Sequence, residues 1–313
     1  MDTVETRQPH NGPVPRPRMT ARPVLVTGMP RSGTTWLARL LALSTNGALA
    51  GREPMNTRGR RQYALGRTVD GWTRLEEPTA AQARALRRAY TATTPMVYSR
   101  YGVRRWAAPL PWSTLVVKDP FAVLSVPAVH RVTGARPVVI HRHPGAMLVS
   151  YRRMGWLPDV EEIRPVVERY RATRDASDPE VPHLPAGAAL DGAVAMGWFW
   201  SALYAMAVAD LSRAPGTLVV AHEDLATDRD ACARLFDELG LGWSAAVDAE
   251  LGREGATEQA ATKLHNFDRS PAEAATSWRR RLSETEIRDI EDITAPVRLL
   301  VDAATTTSRD GQR

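Results

Sequence analysis

The chain has 313 residues, of which 43% are hydrophobic, and its 41 Lys and Arg against 35 Asp and Glu give a formal net charge of +6. This composition excludes a disordered protein and suffices for the core of one large α/β domain or of two modest ones. It contains no run of about 18 apolar residues, so no transmembrane helix is expected, and its single cysteine, Cys232, excludes an intramolecular disulfide and favours a cytoplasmic protein.

Residues 1–22 are polar and rich in proline, without the apolar segment of a signal peptide, and we predict a flexible arm there. Apolar runs and helical spacing then alternate along the chain. Strands are predicted at 23–27, 48–51, 114–118, 137–141 and 217–222. Helices are predicted at 34–44, 79–92, 122–133, 145–153, 160–173, 187–212, 228–239 and 284–292. This alternation predicts a three-layer α/β fold, a central parallel sheet flanked by helices, as a single domain over 23–300 with a flexible tail at 301–313.

A tight loop joins the first predicted strand to the first predicted helix, and Gly28 and Gly33 frame it. Successive backbone N–H groups in such a loop, with the helix dipole behind them, form a cradle for a phosphate group. The spacing is similar to that of the nucleotide triphosphatase loop, but Thr34 stands where the lysine of that loop would be, and Arg31 is the only cation. Without that lysine the loop lacks its reach to the β- and γ-phosphates. It therefore favours a nucleotide that carries a 5′-phosphate and whose transferred group lies elsewhere.

The segment from Pro30 to Leu37, with the letters PRSGTTWL, resembles the 5′-phosphosulfate loop of sulfotransferases that use 3′-phosphoadenosine-5′-phosphosulfate (PAPS). Arginine in place of lysine is similar to the tyrosylprotein and bacterial branches of that family. The resemblance implies a P-loop-like fold, a donor bound without a metal ion, and Arg31 as the group that stabilises the leaving phosphate. It also implies cofactor binding by Ser32, Gly33, Thr34 and Thr35. Trp36 matches the family tryptophan that stacks on adenine, and a core position is an equal alternative.

A second motif follows the predicted strand at 137–141. In the family, an Arg at this strand end and a Ser eight residues later bind the 3′-phosphate, and Arg142 and Ser150 have that spacing. Pro144 suits the first turn of a helix, which places Ser150 about two turns into it. A guanidinium at the strand tip and a hydroxyl beside it can converge on one phosphate. We therefore predict that these two residues bind the 3′-phosphate.

The catalytic base is predicted from two further segments. In the cytosolic branch a Lys-x-His follows the strand at 114–118, and this chain keeps Lys118, which the resemblance implies for the sulfonate oxygens, but has Pro120 in place of the histidine. Glu53 lies 22 residues after Arg31, and tyrosylprotein and bacterial members have a Glu at a similar offset. We predict Glu53 as the base, with a purely structural role as the alternative. Further candidates for the base are Asp119, His141 and His143.

The resemblance continues with lower specificity toward the C-terminus. The letters AHEDL at 221–225 are similar to the family's Arg-Tyr-Glu-Asp-Leu after a strand. The segment from Arg269 to Leu282 resembles the late loop that closes over the nucleotide, but the Arg-Lys-Gly of the cytosolic branch is missing. The sequence leaves open which arginine meets the 3′-phosphate. Arg269 and Arg280 are predicted as cofactor-binding residues, with Arg279 as the alternative.

The sequence thus predicts a sulfotransferase that transfers a sulfonate from PAPS to a hydroxyl of a saccharide or small metabolite. A P-loop-type nucleotide kinase and a non-catalytic nucleotide-binding protein on the same fold are the alternatives. Dispersed arginines, without a basic helix or a zinc-finger spacing, argue against a nucleic-acid partner. Aromatic residues between Trp72 and Trp112 are candidates for an acceptor wall or for the core. The acceptor and the oligomeric state stay open.

Overall fold

The computed structural model describes residues 22–51, 53–56, 65, 68–91, 113–176, 178–186, 190–252 and 277–310, the last five of these as backbone only. Its central sheet consists of short strands that are almost entirely apolar, as expected where both faces are buried. The strands are β1 (Val24–Thr27), β2 (Gly47–Leu49), β3 (Thr114–Lys118), β4 (Arg136–His141) and β5 (Leu218–Ala221). All pair in parallel, in the order β2-β3-β1-β4-β5.

Helices follow the strands along the chain. The α-helices are α1 (Thr34–Ala42), α2 (Ala80–Ala89), α3 (Val126–Thr133), α4 (Pro144–Arg153), α5 (Arg164–Thr173), α6 (Gly192–Ala209), α7 (His222–Thr227), α8 (Arg229–Leu239), α9 (Ala245–Leu251) and α10 (Glu284–Asp310). Short 3₁₀ helices cover Pro120–Leu124, Val160–Glu162, Leu211–Arg213 and Ser277–Arg281. Helix α6 begins later than the predicted residue 187 because Asp191 caps it, accepting a hydrogen bond from the N–H of Ala193 at 2.7 Å.

Successive residues of a strand point to opposite faces of the sheet, and both faces are covered. Leu25 packs in one core with the buried side chains of α6 and α10. Val24 and Val26, its neighbours in β1, pack in a second core with α1 and α8. The predicted α/β fold, a parallel sheet flanked by helices in three layers, is therefore confirmed.

Helix α6 is apolar on every side because the protein surrounds it. Among the described residues, the stretch Gly192–Arg213 alone is long and apolar enough to cross a membrane, and 78% of its 18-residue window is buried inside the protein. The polar groups of α6 support the end of β4. The Trp200 indole N–H donates to the carbonyl of Arg142 at 3.0 Å, and the Tyr204 hydroxyl donates to the carbonyl of Ile140 at 2.9 Å.

Helix α10 is longer than the sequence predicts. It continues from Glu284 to Asp310 through Pro296. Val301 is completely buried, and the hydroxyl of Thr305 lies 3.1 Å from Nε2 of His141. The predicted domain boundary at residue 300 therefore falls inside α10, which packs on the sheet. The single domain, the N-terminal arm and the C-terminal tail stay predictions.

A buried ion pair at the end of α6 provides a test of stability. Two guanidinium nitrogens of Arg74 donate to the two carboxylate oxygens of Asp210 at 2.6 and 2.5 Å, and the side chains are 8% and 1% exposed. Removing one partner of such a pair leaves a buried charge and costs about 3–5 kcal/mol. We expect Asp210→Ala to lower the free energy of unfolding by about that amount in urea denaturation. Asp237→Ala, at an exposed position of α8, is the matched control and should stay within about 0.5 kcal/mol of the parent. Equal urea midpoints for the two variants would contradict the expectation.

Candidate active site

The loop between β1 and α1 is shaped by two glycines that have no room for a side chain. Gly28 has a φ of +149°, and a Cβ there would lie 2.1 Å from the carbonyl oxygen of Ile140. Gly33 has a φ of +106°, and its Cβ would lie 2.4 Å from Cδ2 of His222. Among the described non-glycine residues only Arg31 has a positive φ, 75°. The loop backbone therefore lies directly against the end of β4 and the start of α7.

Tyr204 of α6 fixes this loop to β4. Its hydroxyl accepts a hydrogen bond from the N–H of Met29 at 3.3 Å and donates one to the carbonyl of Ile140 at 2.9 Å. Burial raises the pKa of Tyr204, so the hydroxyl keeps the proton that it donates. The turn is thus held by a core helix as well as by its own backbone.

The predicted phosphate-binding residues lie at the end of this loop and in the first turn of α1. Ser32 and Thr34 are buried, with 0% and 3% of their surface exposed. Gly33 is the N-cap of α1 and supplies no side-chain hydrogen bond to it. A helix N-terminus without a side-chain cap has N–H groups that can bind an anion. The hydroxyl of Thr35, in the same turn, accepts a hydrogen bond from Lys118 at 3.3 Å.

The structure brings the loop arginine to the residues predicted for the 3′-phosphate. Nε of Arg31 donates to the hydroxyl of Ser150 in α4 at 2.9 Å. Arg142, just after β4, lies beside them, with Nη1 3.5 Å from the carbonyl oxygen of Arg31. Burial lowers the pKa of Arg31, because a guanidinium away from water is less stable as a cation. An anion bound next to Arg31 would offset that cost.

The other predicted catalytic residues meet on the β3 side of the loop. Lys118, the last residue of β3, forms an ion pair with Glu53, and its side chain is 12% exposed against 19% for Glu53. The Asn56 amide N–H₂ also donates to Glu53. Through the hydrogen bond from Lys118 to Thr35, this pair is connected to the first turn of α1. The predicted base, Glu53, and the predicted sulfonate ligand, Lys118, are therefore in direct contact with each other. Lys118 also contacts the cradle, at Thr35.

Asp119 is enclosed beside this pair. It is 0% exposed, and its carboxylate accepts hydrogen bonds from the backbone N–H groups of Met55 and Phe121. Burial and the nearby charge of Glu53 raise the pKa of Asp119 to about 8. Because both of its oxygens accept from backbone groups, Asp119 has a structural place that the sequence did not indicate.

His141 and His143, the other base candidates, serve as structural groups in this arrangement. Nδ1 of His143 accepts a hydrogen bond from the N–H of Gly145 at 3.1 Å and so caps α4. Its ring stacks on Trp278 at a centroid distance of 4.1 Å. Burial, with Arg298 as the next cause, lowers the pKa of His143 to about 3 and that of His141 to about 4. Both imidazoles are therefore neutral near pH 7.

Trp36 and His222 form an aromatic pair next to the cradle. Their ring centroids are 5.4 Å apart. Nε1 of Trp36 and Nδ1 of His222 are both buried and have no hydrogen-bond partner within the described part of the chain. A buried polar atom without a partner costs about 1–3 kcal/mol, so each is a place where a ligand atom would be stabilised. His222 was missed as a site residue, although its position at the end of the predicted strand 217–222 was a usable signal.

The C-terminal arginines differ in their relation to the site. Arg280 is exposed on the 3₁₀ helix that Trp278 anchors to His143. Arg279 lies over the Trp278 ring at 4.7 Å from its centroid. Arg298 of α10 lies 3.5 Å from Nε2 of His143 and was not predicted, since no motif surrounds it. The structure therefore places Arg298 beside His143, the role of Arg280 stays a prediction, and the predicted residue 269 lies outside the described residues.

Within the described ranges no group of three His, Cys, Asp or Glu side chains could hold a metal ion. The residues that gather at the loop are cations, hydroxyls and one half-buried carboxylate, Glu53, a set suited to anions rather than to metal ligation. This set combines the phosphate cradle with an ion-paired Glu on one side and two arginines on the other.

The amino-acid sequence matches the model of the Sulfotransferase family over residues 23–191, which is more than half of the chain. The chain belongs to the sulfotransferase family. The match contains the cradle, the Glu53–Lys118 pair and the Arg142–Ser150 pair, and it ends before His222 and α10. No curated protein sequence matches the chain.

Several solved sulfotransferase structures are similar to this family member at low identity. The sulfotransferase domain from the curacin biosynthetic pathway is 14% identical over 88% of this chain and 98% of that chain, with a TM-score of 0.46. The domain from the Synechococcus PCC 7002 olefin synthase is 19% identical over 88% and 95%, with a TM-score of 0.45. Mouse sulfotransferase SULT7A1, complexed with PAP, is 12% identical over 91% and 90%, with a TM-score of 0.43. The family assignment rests on the sequence match.

The buried imidazole of His141 gives the protein a pH-dependent stability. Because burial lowers its pKa from 6.5 to about 4, the unfolded chain binds a proton at a higher pH than the folded one, and the free energy of unfolding falls as the pH decreases from about 6.5 toward 4. Between pH 7 and pH 5 this group accounts for a loss of about 2 kcal/mol. In His141→Gln, whose amide can still bond to Thr305, we expect that loss to be smaller by about the same amount in urea denaturation. The same loss in parent and variant would contradict this account of His141.

Proposed function

We propose that the protein transfers a sulfonate from PAPS to a hydroxyl of a saccharide or small metabolite. One observation carries the proposal: a single phosphate-binding loop contacts the Glu53–Lys118 pair through Thr35 and the Arg142–Ser150 pair through Arg31. A carboxylate that can accept a proton and a set of phosphate ligands therefore lie on opposite sides of one anion site. Sulfonate transfer requires both.

The described residues fit the nucleotide part of the donor. The cradle of Gly28 to Thr35 has no space for a Cβ at its glycines and has an uncapped helix N-terminus behind it, which suits a 5′-phosphate. Arg142 and Ser150, which both contact Arg31, are proposed to bind the 3′-phosphate. The unpartnered ring nitrogens of Trp36 and His222 are proposed to face the adenine, whose edge carries both donors and acceptors.

The reaction assigns each side chain a task. When bound, PAPS supplies the sulfonate: a bond forms between the acceptor oxygen and sulfur, the bond between sulfur and the 5′-phosphate oxygen breaks, and adenosine 3′,5′-bisphosphate leaves with that electron pair. Glu53 accepts the proton of the acceptor hydroxyl. Lys118 places an ammonium beside Glu53 and Thr35, where it meets the sulfonate oxygens. Arg31 neutralises charge on the 5′-phosphate.

The donor class is tested by calorimetric titration with adenosine 3′,5′-bisphosphate and, separately, with ATP and Mg²⁺. We expect the bisphosphate to bind with micromolar or lower Kd, and Arg142→Ala to raise that Kd at least about tenfold, since a hydrogen bond to a charged group is worth about 1.5–3 kcal/mol. Arg87→Ala, an exposed arginine of α2, is the control and should bind like the parent. Binding of ATP without binding of the bisphosphate would overturn the proposal and favour a nucleotide kinase.

The catalytic roles are tested by the release of adenosine 3′,5′-bisphosphate from PAPS in the presence of a panel of saccharide and small hydroxyl acceptors. We expect Glu53→Gln and Arg31→Ala each to lower turnover at least about a hundredfold, through loss of the base and of a transition-state donor. Glu53→Gln should leave the Kd of the bisphosphate unchanged. Glu77→Gln, at a side chain that is 88% exposed, is the control. Parental turnover in both catalytic variants would favour a non-catalytic nucleotide-binding protein.

A further inference from the structure

Asp119, the residue after β3, is a carboxylate that is completely enclosed by the protein. Its backbone N–H donates to the carbonyl of Val26 at 3.0 Å, and its carbonyl accepts from the hydroxyl of Thr27 at 2.7 Å. Both main-chain groups of Asp119 therefore bind the end of β1, where the phosphate-binding loop begins. The position of this residue relative to the cradle is set by the sheet.

The Asp119 carboxylate holds two different segments. Oδ1 accepts from the N–H of Phe121 at 3.2 Å, which caps the 3₁₀ helix that follows β3. Oδ2 accepts from the N–H of Met55 at 2.5 Å. Met55 belongs to the turn that starts at Glu53, in which the N–H of Asn56 donates to the Glu53 carbonyl at 3.2 Å. One side chain thus joins the Glu53 turn to the end of β3.

The ionised form of Asp119 is disfavoured at this position. Burial and the nearby charge of Glu53 raise the pKa of Asp119 to about 8, against the opposing effects of its backbone hydrogen bonds and of Lys118. An apolar residue of similar volume would avoid both the desolvation and the repulsion between like charges. It could not, however, accept the N–H of Met55. Of the two hydrogen bonds that the Asp119 side chain accepts, only the one from Met55 joins a segment far away in the sequence, the Glu53 turn.

We infer that Asp119 is a positioning residue for the base: it holds the turn that carries Glu53 against the end of β3, beside Lys118 and the cradle. The inference rests on the proposed function, in which Glu53 accepts the proton of the acceptor. Asp119 is not the base itself, because it is enclosed and both of its oxygens accept from backbone groups. A displacement of a reacting group by about 1 Å can cost about a hundredfold in rate. The hydrogen bond from the Met55 N–H to the Asp119 side chain, here called the clasp, therefore matters to turnover.

Hydrogen exchange tests the clasp without any substrate. The Met55 amide is followed by NMR in the parent, in Asp119→Ala and in Asp119→Asn. We expect its exchange to accelerate at least about tenfold in Asp119→Ala, through loss of the hydrogen bond from the Met55 N–H to the Asp119 side chain. The acceleration should be smaller in Asp119→Asn, since an amide oxygen can still accept one N–H. Asp237→Asn, exposed on α8, should exchange like the parent.

A double-mutant cycle tests the consequence for turnover. The probe is the release of adenosine 3′,5′-bisphosphate from PAPS with water as the acceptor. We expect Asp119→Ala to lower kcat about a hundredfold while the Kd of the bisphosphate stays within about twofold. In the Glu53→Gln background, Asp119→Ala should lower kcat by less than about twofold more, because a residue that acts through Glu53 adds nothing once that carboxylate is gone. A purely structural role would lower both backgrounds equally.

The outcomes separate the inference from the proposed function. Unchanged exchange at Met55, additive losses in the cycle, or a bisphosphate Kd that rises as kcat falls would each overturn the positioning role of Asp119. A parental rate in Glu53→Gln would overturn the base of the proposed function and leave Asp119 as a structural clasp only, whatever the exchange result. If Asp119→Ala does not fold, Asp119→Asn supports or overturns the inference by the same three measurements.

Discussion

The lack of space between the phosphate-binding loop and the end of β4 determines the rest of the site. A Cβ at Gly28 would lie only 2.1 Å from the carbonyl oxygen of Ile140. The same carbonyl accepts a hydrogen bond from the hydroxyl of Tyr204, which in turn accepts one from the N–H of Met29. The path of the loop is therefore fixed by the main chain of β4 and by the hydroxyl of Tyr204. One consequence is the left-handed conformation of Arg31, which has a φ of 75°. This conformation costs about 1–2 kcal/mol. The hydrogen bond from the Arg31 side chain to Ser150 of α4, which the conformation permits, offsets that cost.

The positive charge at the cradle comes from arginine and lysine side chains and not from histidine. Burial lowers the pKa of His143 to about 3 and of His141 to about 4, and it also lowers the pKa of His222. His141 and His143 are therefore neutral above about pH 5, and His143 acts through its Nδ1 lone pair, which caps α4, and through its ring face. The cations in contact with the loop are the side chains of Arg142 and Lys118.

Sequence patterns predicted the fold well because parallel strands buried on both faces are continuous apolar runs, as in β1, β3 and β5. They failed where a helix contains a residue that usually ends helices: Pro296 lies inside α10, on its exposed side, where water can bind the carbonyl that loses its N–H partner. Local spacing also located the cradle and the Arg142–Ser150 pair. It could not give the contact of Arg31 with Ser150, the clasp by Asp119, or the approach of Arg298, since these contacts join segments far apart in sequence that only the folded sheet brings together.

The strand order explains how one loop reaches two separate groups of side chains. β1 lies between β3 and β4, and the chain crosses to opposite sides of it, so the loop after β1 faces the crevice at the switch point of the sheet. Lys118 and Glu53 lie on the β3 side, while Arg142 and Ser150 lie on the β4 side. An in-line transfer needs the attacking and leaving oxygens on opposite sides of the transferred group. In the proposed function, Glu53 on the β3 side meets the acceptor, the loop holds the leaving 5′-phosphate, and Arg142 and Ser150 on the β4 side hold the 3′-phosphate. Because neighbouring strands are about 4.8 Å apart, the backbone sets the separation of these groups, and flexible side chains need only make the final contacts.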